Sequence, residues 1–140
     1  MIAELGLAAL WLAAGLCALQ LVAGAIGMRA PAGDADANPI GALARPAAIV
    51  QGLLLIVSFA CLLRVFVVTD LSVLLVATNS HADKPLIYRL SGTWGNHEGS
   101  MLLWVLILAF FGSLVALFGR DLPATLKANV LAVPAWILAA

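Results

Sequence analysis

The chain has 140 residues, 64% of them hydrophobic and 10% charged, with a formal net charge of +0 and a mean hydropathy of +1.12. A soluble domain is roughly 45–50% apolar and about 25% charged, and a chain this short has too much surface to hide so much apolar side chain from water. Lipid is therefore the expected solvent, and zero net charge without a basic run or nucleic-acid motif excludes nucleic acid as a partner.

The first predicted element runs over 2–28 with one charge, Glu4, at its start. About 20 residues of helix cross a hydrocarbon core, so this run spans with length to spare. A signal peptide would carry a positive start and an apolar core of only about 7–15 residues; neither is present. Small residues at Ala9, Ala13, Ala14, Ala18, Ala23 and Gly27 predict a face on which a neighbouring backbone approaches closely. Cys17 lies in this run and Cys61 in the next, where each reads as a small hydrophobe. Their spacing matches no metal-ligand pattern, so no metal site is expected.

Residues 29–45 carry Pro31, Gly33, Asp34, Asp36, Asn38, Pro39 and Gly41, which are turn and breaker types, and form a linker. A second span is predicted over 46–69, with Pro46 tolerated in its first turn. Arg64 either snorkels to the headgroup level or faces a polar cavity. An outer loop follows over 70–97. Its Leu71–Ala77 part is too short to cross, and periodicity does not decide between an extended and a re-entrant form. Pro85 then opens a stretch with Leu86, Ile87, Leu90 and Trp94 roughly on one face and Arg89 off it, which predicts a short interfacial helix. The third span is expected over 98–118, beginning at His97 or Glu98, with Glu98 favourable at the positive end of the helix dipole.

After a tight loop at Gly119–Pro123, a fourth run covers 123–140 and ends while still apolar. A span stopping there would leave a carboxylate and unpaired carbonyls near lipid, so this module, 1–140, is expected to be the N-terminal part of a longer product. The fold class is all-α, a polytopic transmembrane helical bundle. Arg29, Arg45, Arg120 and Lys127 fall on one side of the membrane, and Lys84 and Arg89 on the other. The positive-inside rule then puts the N-terminus and the 70–97 loop outside.

No phosphate loop or nucleophile–base pair is present, and no catalytic residue is assignable. His97-Glu98 lacks the second histidine of a zinc-protease helix, because position 101 is Met101. His81 stands alone in a polar turn. The dense constellation is Arg89 to Trp104, which sets Trp, His, Glu, Arg and glycines at a membrane interface. It reads either as an aromatic anchor with a helix start, or as a docking surface for a flat anionic amphiphile such as haem. In the second reading Trp94 stacks, Arg89 pairs a propionate and His97 is a candidate iron ligand.

The segment Thr93-Trp94-Gly95-Asn96-His97-Glu98-Gly99-Ser100-Met101-Leu102-Leu103-Trp104 resembles the T-W-G-x-H-E-G-S-[LM]-L-L-W pattern of the cytochrome c-type biogenesis family CcmF. Phe66–Val73, Val76–Ser80 and Pro85–Arg89 agree with that family in order and spacing, as does the opening Glu4-Leu5-Gly6. The resemblance implies a multi-pass protein of the bacterial inner membrane, with N-terminus and loop periplasmic. It implies part of a haem lyase that takes haem from the chaperone CcmE, works with CcmH-type subunits, and joins haem vinyl groups to apocytochrome c by thioethers. Family members are several times longer, and their tryptophan-rich loop and haem-ligating histidines lie downstream. Haem is thus implied as the ligand, with its axial ligands expected outside this chain. Trp94, His97, Glu98 and Arg89 are carried as contacts to haem or a partner, and Gly95, Gly99, Ser100 and Trp104 as motif scaffold. His97 is expected to be structural, bonded to the loop above it. Two other classes stand beside this one. A transporter or channel subunit would need a polar stripe down the spans, with Arg64 in it; a ligand-free assembly factor would show no haem dependence.

Overall fold

The computed structural model describes residues 1–29 and 43–119. Residues 30–42 of the linker lie outside the described residues, as do the run 123–140 and the cations Arg120 and Lys127, while Arg29 and Arg45 fall in the flanking helices. Within them the elements are α1 (Ile2–Arg29), α2 (Ala44–Val68), α3 (Leu74–Asn79), α4 (Leu86–Gly92) and α5 (His97–Phe118). Three of these, α1, α2 and α5, are long and apolar enough to cross a membrane. The chain is thus an all-α membrane bundle. The Leu71–Ala77 question resolves into a turn followed by α3, a helix too short to span.

α2 is the centre, with α1 along one side and α5 along another. Lipid tails are as apolar as leucine, so helices in a membrane associate by close packing and interhelical hydrogen bonds. Both are seen here. α1 buries Gly6, Ala9, Ala13, Cys17, Gln20 and Ala23, one per turn or so along a single face. Ala14 and Ala18, expected on the packed face, are exposed instead, and Gly27 lies outside the described side chains. The alanines alone left two stripes open. The buried one holds Gly6, whose missing side chain admits Cys61 (an added Cβ would sit 2.8 Å from the Cys61 Cβ). It also holds Cys17, which hydrogen-bonds Gln51 of α2.

α2 answers with Ala44, Ala47, Ala48, Gln51, Gly52, Leu55 and Ser58. Toward α5, Gly52 gives room to Ser113, whose Oγ a Cβ there would overlap. That hydroxyl is shared between the carbonyls of Ala48 and Ala109, both at 2.8 Å. Near the end away from the loop, Arg45 Nε donates to the Ala116 carbonyl at 2.6 Å, a cation on the last turns of α5. The three spans meet at Ala13, Leu55 and Ala109. Arg64 is exposed, about one turn from the end of α2.

Candidate functional site at the loop end

The site is the cap that residues 69–99 form over one end of the bundle. α2 stops at Thr69, which adopts a left-handed conformation (φ 56°, ψ 53°). A β-branched residue pays a steric cost there. The cap closes because Thr69 N–H reaches the Phe66 carbonyl and Asp70 N–H the Val65 carbonyl, each at 3.1 Å. Asp70 then accepts from the Ser72 amide at 3.1 Å and the Ser72 hydroxyl at 2.6 Å. These bonds to its charged form hold the Asp70 carboxyl below its ordinary range.

The loop is nailed to α2 by Val76, which buries fully against Val65 and Phe66. α4 closes on the same ring: a Cβ at Gly92 would meet Phe66 at 3.3 Å. Arg89, on α4, turns back to the strained corner. Its Nη1 donates to the Val67 carbonyl at 3.1 Å and to Thr69 Oγ1 at 3.4 Å, and its Nε to the Lys84 carbonyl at 3.0 Å. The guanidinium expected to meet a ligand here bonds one carbonyl near the end of α2, that of Val67, and ties it to the loop.

The motif itself is a helix start. Asn96 is the N-cap of α5: its Oδ1 accepts from Gly99 N–H at 2.7 Å, while its Nδ2 donates to the Gly92 carbonyl at 2.7 Å. One amide thus ties α4 to α5. Gly99 packs on the Thr93 backbone, and an added Cβ would overlap the Thr93 carbonyl oxygen. Gly95 is similarly tight, its Cβ position 3.0 Å from the Ser91 carbonyl oxygen. Ser100 Oγ donates to the His97 carbonyl at 2.8 Å. Thr93 is wholly buried, and its Oγ1 has no partner among the described residues; Ser80 Oγ is in the same position.

On this cap Trp94 is 44% exposed, and His97 and Glu98 are exposed on the first turn of α5. The His97 imidazole makes no hydrogen bond to the loop among the described residues, against the expectation of a structural bond. Trp104, expected to be scaffold, is 65% exposed, two turns down α5. The motif borders two hollows. Gly92 and Gly95 line a polar one of about 480 Å³ with Asn79, Lys84, Tyr88 and Ser91. Glu98 lines an apolar one of about 410 Å³ between α1, α2 and α5. Among the described residues that line the polar hollow there is one cation, Lys84, held by the Asn79 carbonyl at 3.1 Å, and no carboxylate.

No family model matches the chain. It is 55% identical over all its 140 residues to the cytochrome c-type biogenesis protein CycK of Rhizobium meliloti, of which it covers 20%. It is 58% identical over 92 residues, 66% of the chain, to the cytochrome c-type biogenesis protein ccl1 of Rhodobacter capsulatus, covering 14% of that protein. A solved cytochrome c haem lyase, CcmF, superposes with a TM-score of 0.85 at 27% identity, over 99% of this chain and 22% of that one. The chain is a homologue of the CcmF and CycK cytochrome c-type biogenesis proteins. It spans about a fifth of the length of these full-chain matches.

Among the described residues no three His, Cys, Asp or Glu side chains gather as a metal-binding group. His97 offers one exposed imidazole, with Trp94 three residues before it. The motif residues exposed at this edge are Trp94, His97 and Glu98. They do not complete an axial ligand set. Sequence reasoning missed Asn96, Thr93 and Thr69, the residues that build the cap. Asn96 carried a usable signal, an Asn before an apolar helical run. It also passed over the buried Gln20 and Gln51, although glutamine inside an apolar span is itself a sign of an interhelical contact.

Proposed function

We propose that this chain is the cap-bearing membrane module of a haem lyase in cytochrome c maturation. The observation that carries the reading is the Thr93–Trp104 motif, which here is a rigid corner presenting Trp94 and His97 at the loop end of a bundle that superposes on a haem lyase. The backbone of the corner is fixed by Asn96 and Gly99, so the positions that carry the presented side chains are set before any ligand arrives. Such preorganisation lowers the entropic cost of binding.

In this reading haem is the cargo. Trp94 supplies a stacking face, His97 an imidazole at the edge, and Lys84 a cation near the propionates. Arg89 positions the loop. The thioether step adds a cysteine S–H across a haem vinyl C=C, and residues beyond this chain carry it out. The partners are CcmE, a CcmH-type subunit and apocytochrome c, and the location is the bacterial inner membrane with the cap in the periplasm. Gln20, Gln51 and Ser58 are buried in the bundle, and Gln51 of α2 bonds Cys17 of α1 as helix glue, which favours this reading over a transport pathway.

The test is Trp94→Ala, His97→Ala and Glu98→Ala in the full-length protein, co-expressed with the maturation system and a reporter cytochrome c. Covalent haem is read by peroxidase stain and protein abundance by immunoblot. Covalent haem falling at least several-fold for Trp94→Ala and His97→Ala at constant abundance supports the reading. Unchanged covalent haem in both overturns it.

A further inference from the structure

Away from the polar hollow, residues of α1, α2, α3 and α5 line an apolar groove of about 410 Å³. That is within the roughly 300–1,000 Å³ of small-molecule sites. Leu7 and Leu10 of α1, Leu62 and Val65 of α2, Leu75 of α3 and Leu102 of α5 form its walls. It runs inward from the loop end. On α2 it extends from Val65 to Ser58, seven residues, or about 10 Å of helix rise. Its mouth carries Glu4 and Glu98, both exposed. Neither Lys nor Arg is among the described residues that line it.

A trough in the wall of membrane-crossing helices, apolar along its length and anionic at its mouth, selects an amphiphile by charge. We propose that the groove holds part of an acyl chain of a phospholipid whose headgroup carries an ammonium, seated at the Glu4 and Glu98 carboxylates. The groove takes the first several methylenes, and the rest of the chain continues along the bundle. Glu4 already accepts an ammonium in this geometry: the Met1 amino group lies 3.0 Å from its Oε2. That pair is exposed, and an exposed ion pair is weak, so a headgroup ammonium can displace it. A lipid with an anionic glycerol head brings its phosphate to two carboxylates against a single ammonium, that of Met1, so the mouth stays net anionic toward it. Haem brings two propionates to the same place, so the charge pattern separates this groove from the surface assigned to haem above.

The test uses the protein at its natural full length, in nanodiscs of equal phosphatidylethanolamine and phosphatidylglycerol, released into native mass spectrometry. One retained lipid is expected, enriched at least three-fold in phosphatidylethanolamine over the disc composition. Glu4→Gln with Glu98→Gln brings the ratio back to that of the disc while a lipid is still retained. Leu7→Trp, at a position 56% exposed and so tolerant of bulk, fills the groove and removes the adduct. Three results overturn the proposal: no retained lipid, as when another helix of the protein fills the groove; a preference for phosphatidylglycerol; or a phosphatidylethanolamine preference that the double substitution leaves intact. Failure here leaves the haem lyase reading untouched, since neither lipid readout depends on haem.

Discussion

Gly99→Ala is expected to destabilise the protein even though it replaces glycine by the best helix former inside a helix. Propensity alone would favour alanine by about 0.8–1 kcal/mol. Against that, the new methyl group overlaps the Thr93 carbonyl oxygen and sits 2.8 Å from the Thr93 carbonyl carbon. Both atoms are backbone, and Thr93 is fully buried, so the neighbour has nowhere to go. Forcing a methyl into a packed site costs about 1–3 kcal/mol. The same methyl lies 3.1 Å from Asn96 Oδ1 and pushes on the N-cap bond, which is worth about 0.5–2 kcal/mol. The sum is a net loss near 2 kcal/mol, up to about 30-fold in the folded-to-unfolded ratio. Gly15→Ala is the control, because Gly15 is exposed in α1 and a Cβ there meets nothing within 4 Å. It should gain by up to about 1 kcal/mol. Both are measured by unfolding in detergent mixtures of rising SDS fraction, followed by circular dichroism. If Gly99→Ala matches or exceeds the wild type in stability, or if Gly15→Ala is as damaging, the close-approach reasoning is wrong.

Thr93→Val removes a buried hydroxyl that has no partner among the described residues, so it should be neutral or stabilising by about 1 kcal/mol in the same unfolding assay. A loss of similar size would mean the hydroxyl is satisfied. Arg89→Ala removes the donors from the Val67 and Lys84 carbonyls and should speed hydrogen exchange selectively at residues 69–80, leaving α1 unaffected; uniform exchange would refute a local role. Asp70→Asn keeps the shape of the Ser72 turn but removes its pH response. Because Ser72 lowers the folded-state value of Asp70, its stabilisation is present above the ordinary carboxylate range and is lost as pH falls through the lowered folded value. The wild-type Ser72 amide resonance should therefore shift in strong acid, while in Asp70→Asn it should not. A cysteine placed at Ser72 should react with a membrane-impermeant maleimide from the periplasmic side in spheroplasts; reaction only after lysis would invert the orientation.

The sequence by itself determined that the chain is a set of membrane helices, because hydropathy and length answer to the bilayer and to nothing else in the fold. It also located the motif, since a run of Trp, Gly, His and Glu at a helix start is visible in one dimension, and it carried the likeness to the CcmF proteins. Only the tertiary structure decided which stripe of α1 is buried. Ala14 and Ala9 look alike in sequence, and the choice between them depends on what α2 offers opposite, namely Cys61 beside Gly6 and Gln51 beside Cys17. The roles of the motif residues were likewise three-dimensional. Arg89 and Thr69 are twenty residues apart, and a ligand-facing arginine cannot be told from one that closes a strained helix end until the loop folds back. Hydropathy is a sum over single residues. Packing is a property of pairs, and the pairs that fold the loop back onto α2, Arg89 with Val67 and Thr69 and Gly92 with Phe66, are far apart along the chain.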